Sequence, residues 1–411
     1  MKTGVLTRIA KFNEGRDPER LALKFAALRH DAFTLLRGTC HLFYEDLRAS
    51  DLPMSPLVWC CGDLHLENFG TYKGDNRLAY FDLNDFDEAC LTPALWELVR
   101  FLTSVRVGGK TLGMDRRMTT MLMRTFLEGY AGALRGGKAR WLERATSDGI
   151  IRALLTDLKK RTRTRFLQSR TTLRKGTRQL LIDGQRALSL DKTKIETLRK
   201  FLAEFGRSQP NPQFFQLLDA ARRVAGVGSL GLERYVLLVE GRGSPDGNFL
   251  FDFKVQPGSC VVAAHPLSQP HWASEGERVA VTQREMQAVS WQRRSFLLHE
   301  LMPINDRLDI TKWQRGADGL ARSIHNMGEI VAWDQIRSAA RRGAALPAEL
   351  IDFGRDKTWW KSTIECAGHY ATRTEQQWRE YTSHPVESTR KGARLWLNWR
   401  SIWNGGGRFL R

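Results

Sequence analysis

Apolar residues recur at helical spacing through residues 18 to 50, where Leu21, Leu23, Phe25, Leu28, Phe33, Leu35, Leu36, Leu42 and Phe43 are interleaved with charged positions. That period predicts one or two amphipathic helices packed on a core. The run Leu57-Val58-Trp59-Cys60-Cys61 is short, wholly apolar and closed by Gly62, the pattern of a buried strand entering a loop. Two β-prone runs, Phe69 to Tyr72 and Arg77 to Leu83, flank Lys73-Gly74-Asp75-Asn76 and predict a β-hairpin. Thr92 as N-cap and Pro93 at the first helical position predict a helix with Leu95, Leu98, Val99, Leu102 and Val105 on one face. Helical patterns continue from there to about residue 205.

The texture changes after Gln209-Pro210-Asn211-Pro212. A Gly-rich turn at Gly226 to Gly231 precedes β-like runs at Tyr235 to Glu240 and Phe249 to Val255, which together read as a small β-rich lobe. A helical signal at Glu275 to Val289 and an apolar run at Phe296 to Leu301 follow, and from about 318 to 403 the pattern is helical again. The expected class is α+β. No internal repeat or low-complexity tract interrupts it.

The length of 411 residues leaves room for two or three compact units. Hydrophobic residues at 42% and charged residues at 27% are ordinary for a globular protein, and no apolar run approaches the ~18 residues of a membrane span. The first twenty residues carry early positive charge but no apolar h-region, which predicts no secretion signal and a cytoplasmic location. Six cysteines are too sparse for a disulfide framework, and the adjacent Cys60 and Cys61 fit no metal knuckle, so all six are expected as thiols. A net charge of +19 and an isoelectric point near 10.0 create a field that attracts nucleic acid, nucleotides or acidic surfaces without choosing among them. Lys159 to Arg178 holds nine basic residues and no acidic one, and reads equally as a solvated face or as a phosphate-, nucleic-acid- or partner-binding stripe. The thirteen tryptophans, Trp359-Trp360 and the Trp396, Trp399 and Trp403 series among them, are expected in packing rather than in base stacking.

Three motifs carry candidate chemistry. Gly62-Asp63-Leu64-His65-Leu66-Glu67-Asn68 follows the buried strand and sets a carboxylate and a carboxamide five residues apart on one loop. Phosphoryl transfer uses such a pair, an Asp to accept or orient the substrate hydroxyl proton and an Asn whose oxygen ligates magnesium. His65, alone between apolar residues, is expected to fix its loop by hydrogen bonding. Phe81-Asp82-Leu83-Asn84-Asp85-Phe86-Asp87-Glu88 then clusters four acids beside aromatic residues, an arrangement that asks for a neutralising cation such as magnesium. Gly226-Val227-Gly228-Ser229-Leu230-Gly231 matches G-x-G-x-x-G ahead of a strand, and no βαβ unit follows it. The next strand, Phe249 to Val255, carries the single lysine Lys254, placed like the strand lysine that holds the α- and β-phosphates in kinases. A buried lysine requires an anionic partner. Glu285 is the candidate, with Glu277 behind it.

The block Gly62 to Asn68, followed by Asp85-Phe86-Asp87-Glu88-Ala89, Pro93 and Glu97-Leu98, resembles the catalytic loop, metal-binding acid and following helix of the aminoglycoside-phosphotransferase branch of the protein-kinase-like superfamily. More closely, the chain from about residue 20 to 380 resembles the bacterial family labelled DUF2252, with its G-D-x-H-x-x-N-F-G and F-D-x-N-D-F-D-E motifs near the N-terminus and GVGSxG downstream. The resemblance implies that Asp63 is the catalytic base, that Asn68 and Asp85 bind magnesium with Asp82 competing for that role, and that Gly226, Gly228, Ser229 and Gly231 shape a phosphate loop. It implies ATP as the nucleotide held by Lys254. Asp85 is preferred to Asp82 for its spacing to Ala89 and Glu97, although the phosphotransferase pattern has an Asp where Glu97 stands and a hydrophobic residue where Asn84 stands. Ordinary kinases place the glycine loop and lysine ahead of the catalytic loop. The reversed order here implies a circularly permuted, two-lobed kinase-like fold, which surface-lying termini allow. Residues 1–205 would then begin a large helical lobe, 206–303 would form the small lobe, Glu300 to Asn305 the hinge, and 304–411 would complete the large lobe.

The leading expectation is therefore an ATP- and magnesium-dependent phosphotransferase acting on a hydroxyl, with a small-molecule acceptor favoured by the resemblance and a protein hydroxyl or nucleotidyl transfer left open. A catalytically silent nucleotide-binding module is the first alternative, against which the joint presence of Asp63, Asn68, Asp85 and Lys254 argues. A basic nucleic-acid-binding protein is the second, and only charge supports it, since no helix-turn-helix, RRM or zinc signature is present.

Overall fold

The computed structural model describes residues 4–74, 76, 78–288, 298–301 and 317–385. The periodic stretch over 18 to 50 belongs to a run of short helices, α1 (Val5–Phe12), α2 (Pro18–Ala27), α3 (Ala32–Gly38) and α4 (Cys40–Asp46). Asp17 and Asp31 accept the N–H groups of Arg20 and Thr34, capping α2 and α3 and so breaking one amphipathic pattern into pieces. Strand β1 (Leu57–Cys60) runs into the core as expected, and β2 (Phe69–Lys73) and β3 (Ala79–Leu83) form the hairpin, with Phe69 opposite Leu83. Thr92 and Pro93 close strand β4 (Cys90–Pro93), paired to Val58 and Leu57 of β1, so helix α5 (Ala94–Thr111) begins one turn position later than the N-cap reading placed it.

The continuous helical reading to residue 205 is overturned beyond α6 (Arg116–Gly136). Strand β5 (Leu142–Glu143) adds to β3, and after α7 (Gly149–Lys159) and α8 (Arg163–Gln168) come the hairpin of β6 (Thr171–Arg174) and β7 (Thr177–Leu180) and the short strand β8 (Ala187–Leu188). Threonines favour the strands, and Lys175 and Gly176, both at positive φ, turn the chain between them. Helix α9 (Lys192–Arg207) leads into β9 (Leu217–Arg223), β10 (Arg234–Val239) and β11 (Phe249–Lys254). Helices α10 (Cys260–Ala264) and α11 (Glu275–Met286) precede β12 (Leu298–Glu300), and the antiparallel sheet has the order β12-β11-β10-β9-β8. Helices α12 (Ala317–Ser338), α13 (Pro347–Arg355) and α14 (Trp359–Ser383) complete an α+β protein.

The largest core joins α3, α5, α6, α12 and α14, with Phe101, Phe126, Tyr130 and Trp359 buried at its centre. A second cluster packs Leu198 and Leu202 of α9 on Leu217, Tyr235, Leu237 and Phe251 of the sheet. The apolar faces thus divide the chain elsewhere than at residues 206 and 303. β8 and α9 go with the sheet, while Cys260, Val261, Val279 and Met286 of α10 and α11 join the large core. Of the expected hinge, Glu300 and Leu301 are described and 302–305 lie outside the described residues; Leu301 donates its N–H to the Leu250 carbonyl at 2.7 Å.

Candidate active site

Strand β1 delivers the chain to a turn at Gly62, whose φ of 80° and whose approach to the Glu88 carbonyl, 2.2 Å from where a Cβ would sit, exclude any side chain. Glu97 of α5, fully buried, accepts the N–H groups of Cys61 at 2.7 Å and Gly62 at 3.1 Å through Oε1. The Tyr44 hydroxyl donates to the Gly62 carbonyl at 2.6 Å, and the Leu66 N–H donates to Ser104 Oγ at 3.1 Å. His65 accepts the Glu67 N–H through Nδ1 at 3.1 Å, the loop-fixing role expected of it. Two helices, α4 through Tyr44 and α5 through Glu97 and Ser104, therefore hold the loop before any ligand arrives.

Asp63 leaves this loop with 22% of its side chain exposed. Its Oδ1 accepts two N–H groups of Arg100, Nε at 2.8 Å and Nη2, and Nη2 also reaches the Leu36 carbonyl at 2.9 Å. The guanidinium is buried over the Phe43 ring at 5.0 Å. Arg100 was not singled out by sequence; its signal was a lone arginine three residues after Glu97 in an otherwise apolar helical stretch.

Asn68 spends its amide nitrogen on backbone, donating to the carbonyls of Asp63 and Asp85 at 3.1 Å each. Its Oδ1 is buried without a partner, an arrangement costly unless an electropositive group fills it. The bond to the Asp85 carbonyl brings Asp85 to the same place. Among the described residues no three His, Cys, Asp or Glu side chains are grouped to hold a metal. A carboxylate, a carboxamide oxygen, phosphate oxygens and waters are nonetheless a donor set that suits magnesium, which keeps several waters and takes one or two protein carboxylates.

Asp82 does not share that place. Its Oδ1 accepts the Leu83 N–H at 2.9 Å, and Oδ2 faces Arg337 of α12 at 3.4 Å beside Asp334. Burial pushes the Asp82 carboxyl above its ordinary range, against the pull of Arg337. Strand alternation explains the outcome: Asp82 lies inside β3, with its side chain fixed toward α12, whereas Asp85 lies past the strand end.

The glycine-rich turn joins β9 to β10 and lies against the N-terminal helices. Gly226 and Gly231 take φ of 69° and 90°. Lys24 Nζ, fully buried, donates to the carbonyl of Gly228 and to Asn13 Oδ1, both at 3.0 Å. Arg16 reaches the same carbonyl at 3.2 Å, and the Asp17 N–H donates to the Gly231 carbonyl at 2.9 Å. Asp63 and Glu88 both act on the Lys24 ammonium, so the turn stands within electrostatic reach of the Asp63 loop.

Lys254 forms an ion pair with Asp87, whose other oxygen accepts from Gln256 Nε2 at 2.9 Å. Burial raises the Asp87 carboxyl, but Lys254, Gln256 and Arg234 together outweigh it and hold the group below its ordinary range. The expected partner Glu285 is not there. It faces Arg342 at 3.5 Å, and Glu277 accepts the Ala273 N–H at 2.7 Å near the N-terminus of α11. Lys254 stands opposite Arg234 in the β10–β11 register, and Arg234 and Arg223 share Asp252. Such a row of like charges across strands needs anions to offset it.

The basic 159–178 segment is not one stripe. Arg163 stacks on Phe249, Arg178 pairs with Asp246 at 2.8 Å, Lys160 pairs with Asp157 at 3.0 Å, and Arg174 and Lys175 are exposed at a hairpin turn. Trp359 and Trp360 are buried in the core, and Trp396, Trp399 and Trp403 lie outside the described residues. All six cysteines are free and buried, and no described helix is long and apolar enough to cross a membrane.

A family model described as an uncharacterized protein conserved in bacteria, DUF2252, matches residues 16–384. No curated protein and no solved structure matches the chain.

Proposed function

The chain belongs to the DUF2252 family, and we propose that it is an ATP- and magnesium-dependent phosphotransferase with a kinase-like, circularly permuted fold. The observation that carries this reading is the Lys254–Asp87 pair. It joins the strand after the glycine turn to the acidic loop two residues from Asp85, although 167 positions separate the partners. Sheet order supports it as well. The glycine turn links β9 to β10, the lysine lies on the adjacent β11, and helix α11 precedes β12, which pairs with β11. Protein kinases likewise carry a glycine-rich loop, a strand lysine and then a helix.

On this reading Asp63 orients the acceptor hydroxyl and takes its proton as the acceptor oxygen bonds to the γ-phosphorus and the bond to the β,γ-bridging oxygen breaks, releasing ADP. Magnesium, when bound, neutralises charge on the phosphate oxygens, and Asn68 Oδ1 and the Asp85 carboxylate would hold it. Lys254 exchanges Asp87 for phosphate oxygens. The glycine turn covers the phosphates, and Glu97 and Arg100 keep the Asp63 loop in place. A small-molecule hydroxyl remains the favoured acceptor, and protein hydroxyls and nucleotidyl transfer are the alternatives. The hold of Arg100 on Asp63 favours a second reading, a nucleotide-binding module without transfer, because Oδ1 of the proposed base is already occupied by two guanidinium N–H groups. Nucleic-acid binding has only the +19 charge in its support.

Thermal unfolding with and without ATP and magnesium, on the wild type, Asp85→Ala and Lys254→Ala, tests the site. A ligand at ~100 times its dissociation constant adds about 2.7 kcal/mol. Magnesium-dependent stabilisation in the wild type, lost in both variants, is the expected result, and consumption of the γ-phosphate would separate transfer from silent binding. Absence of any shift at millimolar ATP overturns the reading.

A further inference from the structure

The glycine turn is anchored in the N-terminal helices as well as in its own sheet. Val227 is buried in a cluster with Leu28, Leu35 and Leu42, and Leu230 packs with Leu23. A Cβ on Gly38, the last residue of α3, would lie 2.9 Å from Val227 Cγ1. Two residues earlier, the Leu36 carbonyl accepts at 2.9 Å the same Arg100 guanidinium that holds Asp63. One end of α3 thus touches the glycine turn and also supports the Asp63 loop. The carbonyl side of the turn is engaged: Lys24 and Arg16 both donate to Gly228, and the Asp17 N–H donates to Gly231. Among the described residues the N–H groups of Gly226, Val227 and Gly228 have no acceptor, which leaves them for water or for the oxygens of an anion.

Access separates the two cations. Lys24 is fully buried, whereas Arg16 is half-buried, with its guanidinium over the Phe12 ring at 5.1 Å. The Gly228 carbonyl, at 3.2 Å, is its one hydrogen-bond acceptor, and no carboxylate pairs with it among the described residues. Most of its N–H groups are therefore unspent. Burial disfavours its charge, and the Glu88 carboxylate opposes that effect. Glu88 stands at the foot of the Asp63 loop, where its carbonyl closes on Gly62. The neighbouring Lys24 feels Asp63 as well as Glu88. Arg16 is thus set at the glycine turn, on the side of the Asp63 loop, with a fork of donors suited to phosphate oxygens.

We propose that Arg16 is a catalytic residue of the phosphotransfer put forward above, a reading on which this inference rests, and that its guanidinium binds the γ-phosphoryl group and so selects a nucleoside triphosphate over a diphosphate. The division of labour is by position along the nucleotide. Lys254 meets the inner phosphates from β11, and Arg16 meets the terminal one from the N-terminal helices. Arg16 stays protonated throughout. It offsets charge on the non-bridging γ-oxygens while the bond to the β,γ-bridging oxygen breaks, the bond to the acceptor oxygen forms and the acceptor proton passes to Asp63.

The test is titration of the full chain with ATP and, separately, with ADP, both with magnesium, read by calorimetry and thermal unfolding. Arg16→Met is the informative variant, since Lys24 still serves the Gly228 carbonyl and no acceptor is orphaned; Arg16→Lys, which keeps the charge, serves if the methionine variant folds poorly. The wild type is expected to prefer ATP to ADP. Arg16→Met should lose roughly tenfold or more in affinity for ATP and little for ADP, and Arg16→Lys should keep part of the preference. Equal losses for the two nucleotides would make Arg16 a mere support of the turn, and unchanged affinities would remove it from the site. Either result overturns the inference, and the phosphotransferase reading survives it if Asp85→Ala and Lys254→Ala still abolish ATP binding. A wild type that binds neither nucleotide overturns both.

Discussion

Lys254 of β11 and Asp87 of the acidic loop are held together as a mostly buried ion pair that ties the sheet to the large core. Removing one member of such a pair leaves the other charge uncompensated, at a cost of about 3–5 kcal/mol, whereas replacing both is far milder. Asp87→Asn is therefore expected to destabilise the ligand-free protein by roughly that amount, and Asp87→Asn with Lys254→Met to recover most of it. Urea unfolding of the three proteins measures the coupling. Additive losses would mean that the pair is incidental.

Glu97 gives a pH signature. Burial lifts its carboxyl from 4.5 to about 7, against the amides of Cys61 and Gly62 that favour the charged form. The folded chain then binds the Glu97 proton more tightly than the unfolded chain, so this residue's contribution is full below pH 4.5 and is lost as pH rises through about 7. That interval corresponds to about 3 kcal/mol. Glu97→Gln keeps a carbonyl oxygen for the two amides and abolishes the titration. The wild type should lose stability relative to Glu97→Gln between pH 4.5 and 8, and a constant difference across that range would refute the assignment.

Much of this site was readable before the structure. The strand, loop and hairpin carrying Asp63, Asn68 and Asp85 announce themselves by local periodicity and by Gly62, because short-range rules govern them. What was not readable depends on contacts far apart in sequence. Nothing in the local sequence sets Lys24 and Arg16 apart, yet the glycine turn, some 200 positions later, accepts hydrogen bonds from both. Glu285 lies in the helical segment after the lysine strand, where a glutamate partner is expected, but Arg342 claims it. The threonine-rich hairpin was hidden under basic residues that a helix accepts equally well. Asp82 and Asp85 have near-identical sequence surroundings, and only the end of β3, which falls between them, separates them.

That separation is testable at the proposed metal. Asn68→Ala removes the orphaned Oδ1 and should weaken magnesium-dependent stabilisation by ATP at least tenfold, as Asp85→Asn should. Asp82→Asn acts on the Asp334–Arg337 cluster. It should change the stability of the free protein while leaving the ATP-and-magnesium increment intact. Chelation with EDTA should abolish the increment in the wild type. If Asp82→Asn erases it and Asp85→Asn does not, the metal role passes to Asp82.

Lys24 makes the last case. Its ammonium is fully buried, and both its hydrogen-bond acceptors, Asn13 Oδ1 and the Gly228 carbonyl, are neutral. Burial lowers its pKa well below 10.5, and Arg16 adds to the effect, while Glu88, Asp63 and Cys260 oppose it; His41 is a further neighbour. The folded chain then carries fewer protons at this position than the unfolded chain over the window that ends near 10.5. Lys24 therefore contributes stability that grows as pH rises through that window. Lys24→Met, of similar volume, removes the titration. The wild type should gain on Lys24→Met between pH 7 and 10 in urea unfolding at fixed ionic strength. A difference that stays flat would show that the ammonium keeps its charge inside the fold, and that the carboxylates of Asp63 and Glu88 compensate it without any ligand.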